Sequence, residues 1–260
     1  MKIRATYIGT ATVLLEIGGL RILTDPVLDP IGKEYAFSFG TRSTHVQQPA
    51  LPNDVLPAID LVLLSHDEHA DNLDDAGREL LRHTPRVLTT RAGARRIGAP
   101  ARGLLPWEST DVQTPDGFTI RITATPARHG PLFSLPFVGP VIGFILEWSG
   151  QKHGGLYVSG DTVWFGKLRD IGKRFRVGTA FLHMGAARFG ITGPARFTCD
   201  AADACRLFET LGARTLIPIH YEGWTHFKEQ KKTAENEFAR AGITSRVLWL
   251  PAGLNRDLET

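Results

Sequence analysis

Four short apolar segments of this chain each run directly into a histidine or an aspartate, and this arrangement restricts what the chain can fold into more than any other feature. Segment 60–65 leads into His66-Asp67-Glu68-His69-Ala70-Asp71-Asn72, and the segment before Pro126 leads into Ala127-Arg128-His129. Residues 156–160 are followed by Asp161, and residues 216–219 by His220. Short apolar runs of this kind suit strands buried in a sheet. Such strands have no structural need of an imidazole or a carboxylate at their ends, whereas a metal ion needs nitrogen and oxygen donors held rigidly by several elements. Taken singly, each residue reads as a polar loop position. As an ordered set they point to a metal site built at strand ends.

The remaining pattern supplies the frame. Residues 2–8 alternate as a half-buried strand, and 12–17 and 20–24, joined by Gly18-Gly19, read as a hairpin. Residues 25–57 carry five prolines together with Tyr35, Phe37 and Phe39, too apolar for a linker and too broken for an element. Loops of that length inside a domain are usually functional. Helical spacing is expected over 72–83, 163–175, 201–211 with Asp200 as N-cap, and 228–241. Further strands are expected over 118–124, 142–148, 156–159, 179–183, 215–219 and 246–250. Each half of the chain runs through strands and then helices, which predicts two similar halves packed sheet to sheet with helices outside. With no clean linker between the halves, residues 1–260 read as one domain.

Composition excludes several classes. A hydrophobic share of 42% and a charged share of 22% are ordinary for a globular protein. Thirty Lys and Arg are set against 27 acids along the whole length, a net charge of +3, so no basic stripe for nucleic acid is expected. Cys199 and Cys205 are too few for a disulfide framework or a cysteine-based zinc site, which fits a reducing compartment. The N-terminus lacks the apolar core of a signal peptide and no run of 18 apolar residues exists, so a soluble, cytoplasmic protein with no transmembrane segment is expected. Neither a G-x-S-x-G elbow nor a G-x-x-x-x-G-K-[ST] loop is present, which removes serine hydrolases and nucleotide triphosphatases.

The cluster from His66 to Asp74, followed in order by His129, Asp161 and His220, resembles the metallo-β-lactamase superfamily, whose signature is H-x-H-x-D-H followed by a His, a bridging Asp and a final His. Ser65-His66-Asp67, Gly160-Asp161-Thr162 and Pro218-Ile219-His220-Tyr221 are most similar to the branch containing L-ascorbate-6-phosphate lactonase and N-acylphosphatidylethanolamine phospholipase D. The resemblance covers nearly the whole chain. It implies an α/β fold, a four-layer αββα sandwich of the metallo-β-lactamase type, with one or two metal ions at the sheet edges. Carried over position by position, it implies His66, His69 and His129 as ligands of a first ion and Asp71 and His220 as ligands of a second, with Asp161 between them.

The motif departs from the family in one place. Aligned from the left, His66 takes the first position and Glu68 replaces the second His. Aligned from the right, His69, Asp71, Asn72 and Asp74 fit H-x-D-H-x-D, with Glu68 inserted and Asn72 standing where the family has a metal-binding His. The right-hand register keeps three of these four residues and is preferred. An amide carbonyl is a weaker ligand than imidazole, so the second ion is expected to be the looser one. Glu68 is a candidate ligand or a neighbour that orients one, and Asp67 a residue that holds the loop.

The function so implied is that of a hydrolase using a metal-bound hydroxide on an ester, lactone or phosphodiester, with Asp71 and Asp161 holding and orienting that hydroxide. Zn²⁺ is the expected cofactor, and a carboxylate-rich second position also suits Mn²⁺ or Fe²⁺. His183, at the end of strand 179–183, is a catalytic candidate as proton donor or oxyanion partner, its plainer reading being a capped strand end. At least one of Tyr221, Trp224 and His226 is expected to border the site. His45 and Arg42 are weaker candidates for meeting a substrate, and His83 and His153 read as surface residues. The apolar stretch 131–140 and the loop with Phe37 and Phe39 suggest a small-molecule substrate with an apolar part, or a homo-oligomer contact. The alternative is a non-hydrolytic metal or small-molecule binding module that keeps the fold with a degraded site, for which Asn72 and Glu68 argue. Nucleic-acid processing ranks below both for want of a Lys/Arg stripe.

Overall fold

The computed structural model describes residues 3–37 and 40–259, so Phe39 and Lys2 of the sequence reading lie outside the described residues. In chain order the strands are β1 (Ile3–Gly9), β2 (Thr12–Ile17), β3 (Leu20–Thr24), β4 (Glu34–Ala36), β5 (Arg42–Thr44) and β6 (Leu61–Leu63), followed by helix α1 (Asp75–His83). Next come β7 (Val87–Thr90), α2 (Arg91–Ile97), β8 (Ala101–Leu104), β9 (Ser109–Gln113), β10 (Thr119–Pro126), α3 (Leu135–Val138), β11 (Ile142–Glu147) and β12 (Gly155–Val158). The chain continues with α4 (Arg169–Arg174), β13 (Val177–His183), α5 (Ala201–Leu211), β14 (Thr215–Ile219), α6 (Lys231–Arg240) and β15 (Asn255–Leu258).

Two large sheets result, in the orders β15-β1-β2-β3-β6-β7-β8 and β14-β13-β12-β11-β10-β9. Strand alternation decides how they pack. Leu61, Leu63 and Ile22 of the first sheet share one core with Phe144, Phe181 and Ile217 of the second. Val62, Leu64 and Leu23 face the other way and meet Leu80 and Leu81 of α1. On the second sheet Ala180, Leu182 and Leu216 face outward to Leu207 and Phe208 of α5 and Phe238 of α6. Helix, sheet, sheet and helix are therefore stacked in four layers, as the two-halves pattern implied.

Local chemistry explains where the elements start. Asp74 accepts from the Gly77 amide and caps α1, so Asn72, expected in that helix, belongs instead to the preceding loop. Asp200 accepts from the Asp203 amide and caps α5, which Gly212 ends in the left-handed conformation. The helix expected over 163–175 is confined to α4 and a preceding 3-10 turn. The strand expected over 246–250 does not form: a 3-10 turn, Thr244–Arg246, precedes a single bridge from Val247 to Leu216. The elements β4, β5, β7, α2, β8, β9, α3 and β15 are not among those the sequence predicts.

Parallel pairing of β3 with β6, of β12 with β13 and of β13 with β14 brings the C-terminal ends of these strands to one edge of each sheet. Ligand sites of open α/β sheets lie beyond such ends. The two edges meet where the His220 amide donates to the Thr10 carbonyl at 2.6 Å. No helix among the described residues is long and apolar enough to cross a membrane.

Candidate metal centre

The strand ends bring six side chains into two adjacent groups. Ligand atoms of His66, His69 and His129 lie within 4.8 Å of one another, as do those of Asp71, Asp161 and His220. All six side chains are buried. His69 Nδ1 is approached by His66 Nε2 at 3.1 Å and by His129 Nε2 at 2.9 Å. His129 Nδ1 donates to the Phe197 carbonyl at 2.7 Å, which leaves Nε2 of the neutral ring with a lone pair aimed at its neighbours. Converging lone pairs of this kind repel unless a cation lies between them. Burial and the neighbouring imidazole of His69 push His129 down to about 3, so the ring stays neutral.

The second group is marked by missing partners. Among the described residues Asp71 Oδ1, Asp161 Oδ2 and His220 Nε2 have no hydrogen-bond partner, although each is buried. His220 Nδ1 donates to the Met184 carbonyl at 3.3 Å, so its Nε2 faces Asp71 Oδ2 at 3.4 Å and Asp161 Oδ1 at 3.5 Å. Buried polar atoms are rarely left unpaired, and three unpaired donors of metal-ligand type in one place fit a divalent ion. Burial and the charge of Asp71 raise Asp161 to about 6 against the pull of His220. Burial also opposes ionisation of Asp71, but His220 and His226 outweigh it and hold that carboxyl well below the usual range.

Further residues fix these six. The Ser65 amide donates to Asp25 Oδ1 at 2.6 Å, while Asp25 Oδ2 meets His183 Nε2 at 3.1 Å. Asp25 thus ties the end of β6 to the end of β13. Ser65 Oγ lies 2.9 Å from His66 Nδ1. Both Asp25 (φ 26°) and His220 (φ 59°) sit in the left-handed region, which non-glycine residues seldom adopt and which clusters at functional sites. Gly160 (φ 60°) must be glycine, because a Cβ there would lie 2.6 Å from the Ile142 carbonyl and 2.9 Å from Ser65 Cβ. That close approach seats Asp161 beside β6.

The placement of the remaining candidates differs from expectation in three cases. Glu68 is not in either group: its carboxylate pairs with Arg96, which also binds Asp67 through Nε at 2.8 Å and Nη2 at 2.5 Å. Asp67 and Glu68 therefore anchor the loop to α2, where a long side chain is available. Asn72 donates its amide to Asp161 Oδ1 and Ser65 Oγ, both at 3.4 Å, and leaves Oδ1 without a partner among the described residues. His183 does not line the pocket: it is fully buried and its two ring nitrogens face Ser159 Oγ and Asp25. It follows the inward-facing Phe181 by two residues, so strand alternation turns it between the sheets.

His226 occupies the position expected for a pocket-lining partner. Its Nε2 meets Asp71 Oδ2 at 3.0 Å and its Nδ1 meets Ser43 Oγ at 2.6 Å. It lines a narrow pocket together with His69, Asp71 and His129, closed by the apolar side chains Phe37, Val138, Phe189 and Phe197. Tyr221 packs instead on Tyr7 and Trp249, and Trp224 on His45 and Tyr35. Arg42 pairs with Glu34 at the surface. Sequence reasoning missed Asp25, and with it Ser43, Phe189 and Phe197.

The family described as the beta-lactamase superfamily domain matches residues 20–221. A UPF0173 metal-dependent hydrolase of Opitutus terrae is 31% identical over 255 residues, covering 94% of this chain and 96% of the relative. Among solved structures, a possible metal-dependent hydrolase from Veillonella parvula shares 20% identity at a TM-score of 0.81, with 99% of this chain and 100% of that one covered. The isothiocyanate hydrolase from Delia radicum gut bacteria shares 22% identity at a TM-score of 0.77, covering 98% and 99%. At these identities the two structures establish the likeness of fold.

Proposed function

This chain belongs to the beta-lactamase superfamily, and from that premise we propose that it is a metal-dependent hydrolase of small neutral esters or lactones carrying an apolar part. The observation that carries the reading is the pair of adjacent donor groups, one of three imidazoles and one with three buried atoms lacking partners. His66, His69 and His129 would hold a first ion and Asp71 and His220 a second, with Asp161 placed to serve both. When bound, such ions lower the pKa of a water from about 16 towards 7 and polarise the bond under attack. Zn²⁺ fits the imidazole group, and the carboxylate-rich group suits Zn²⁺, Mn²⁺ or Fe²⁺.

The chain's own residues orient the reactants. His226 keeps Asp71 in place through Oδ2, which leaves Asp71 Oδ1 and Asp161 Oδ2 free to hold an ion and so to fix where an attacking water would stand. Phe37, Phe189 and Phe197 exclude bulk water and pack on an apolar group of the substrate. Among the described residues no Lys or Arg lines this pocket, so a phosphodiester would enter without the cations that usually bind phosphate. Two buried free cysteines accord with residence in the cytoplasm.

The test is elemental analysis of protein purified without added metal, coupled to a screen of aryl esters, lactones and bis-aryl phosphodiesters. One to two transition-metal ions per chain and turnover of esters or lactones are expected. His66→Ala and His220→Ala should lower metal content, and unchanged content in both would overturn the ligand assignment.

A further inference from the structure

His129 forms part of two cavities. One is the aromatic pocket above the donor groups, and the other is a groove of about 760 Å³ between α2 and segment 127–142. Segment 131–140 is the wall between them, since its Val138 faces the pocket while its Leu135 and Pro136 face the groove. Leu104, Leu105 and Ile142 complete an apolar surface in the groove, on which Leu105 remains 45% and Leu135 38% exposed. Apolar surface left open in a concavity usually has an occupant.

The charges on the rim indicate which. Among the described residues no acidic side chain lines the groove, whereas Arg91 and Arg95 of α2 do. Arg91 is paired with Glu108 at 2.5 Å, and Arg96 is turned to Asp67 and Glu68. Arg95, one helical turn after Arg91, has no ion-pair partner among the described residues. A hydrocarbon surface with one uncompensated guanidinium complements an anionic amphiphile.

We propose that the groove is a second arm of the substrate site, receiving an apolar segment of the substrate that ends in an anionic group on Arg95. The proposal rests on the hydrolase reading, because His129 is what connects the groove to the reaction. Arg95 is then a specificity-determining residue, and substrates are esters or lactones neutral at the scissile bond and anionic at the far end of an alkyl segment.

Hexanoate, octanoate, decanoate and decyltrimethylammonium, each below its micelle concentration, are titrated calorimetrically into the purified protein and into Arg95→Gln. Alkanoate affinity should rise with each methylene, by up to about fourfold per buried CH₂. Decanoate should bind more tightly than the cationic amphiphile, and Arg95→Gln should weaken decanoate by about two- to fivefold, the range for an exposed ion pair, while leaving the cation unaffected. Equal binding of both head groups, or a decanoate affinity unchanged in Arg95→Gln, would overturn the proposal. Decanoate should also compete with a short neutral ester for turnover, and binding without competition would detach the groove from the reaction. Should no ester or lactone be hydrolysed, the hydrolase reading falls and the titration still decides whether the groove takes an anionic amphiphile.

Discussion

His226 Nε2 stands 3.0 Å from Asp71 Oδ2, and through Ser43, 2.6 Å from its other nitrogen, it links the donor groups to β5 in the long early loop. The Ser43 hydroxyl at Nδ1 leaves the proton on Nε2, so the ring donates to the carboxylate and frees Asp71 Oδ1 for an ion. His226→Ala should weaken the more loosely held ion by about ten- to a hundredfold, the scale for losing a group that orients a ligand. His226→Gln, which can still donate, should retain more of that affinity. Zn²⁺ titration against a competing chelator measures both, and parental affinity in His226→Ala would show that Asp71 is held by something else.

Metal binding should depend on pH with a definite sign. In the metal-free protein burial works against the charged His220 ring, but Asp161 and Asp71 outweigh it and hold its pKa at about 9. At neutral pH the ring therefore carries a proton that an ion must displace. Affinity at the Asp71, Asp161 and His220 group should rise with pH, by about tenfold per unit for one displaced proton, and level off above 9. Below about 6, where Asp161 also takes up a proton, the dependence should steepen. Co²⁺ absorbance titrations between about pH 6 and 8, with proton release followed in weak buffer, test this. A flat profile would remove His220 from the ligand set.

Arg96 holds the ligand loop from outside. Its guanidinium binds both oxygens of Asp67, which is only 3% exposed, while Arg78 donates to the Asp67 carbonyl at 2.5 Å. Arg96→Ala leaves that buried carboxylate short of donors and should cost about 1–3 kcal/mol. For a chain of this size that corresponds to a fall in Tm of roughly 2–4 °C per kcal/mol. Asp67→Asn in the same background should restore part of the loss. Thermal unfolding of the three variants decides the matter, and an unchanged Tm in Arg96→Ala would place the anchor elsewhere.

How far the sequence could be read follows from where each signal lies. The six converging residues were visible because they cluster just beyond the ends of four apolar runs, and the four layers were visible because strands and helices come in two sets. The segment 84–113 gave no signal for a physical reason: α2, with sequence RAGARRI, buries only Gly93 and so has no apolar period, and β7 is four residues long. Asp25 was hidden in Thr24-Asp25-Pro26, which looks like a turn, and its role rests on the Ser65 amide and His183, 40 and 158 residues away. His183 was rightly placed at a strand end, but its side was misjudged. Counting alternation from Phe181 would have directed it inward.

Asn72 is where this chain departs from its family, and its surroundings set the direction of the effect. It is wholly buried, gives its amide hydrogens to Asp161 Oδ1 and Ser65 Oγ, and leaves its own oxygen without a partner among the described residues. As it stands it supports Asp161 as a donor and adds no strong ligand. Asn72→His would place an imidazole beside Asp161, and because imidazole binds Zn²⁺ more strongly than an amide, the second ion should tighten by roughly one to two orders of magnitude. Asn72→Asp tests the same position by charge. A third carboxylate next to Asp71 and Asp161 should destabilise the metal-free protein by repulsion and tighten a divalent ion, so its Tm should fall without metal and recover with it. Asn72→Ala removes the donor to Asp161 and Ser65 without adding a charge or a ligand, and should weaken the ion by less than His226→Ala does. Far-ultraviolet circular dichroism checks that each variant is folded, and chelator competition ranks them. If all three bind the second ion as the parent does, residue 72 lies outside the influence of the metal, and the family's ligand position has been lost here without consequence.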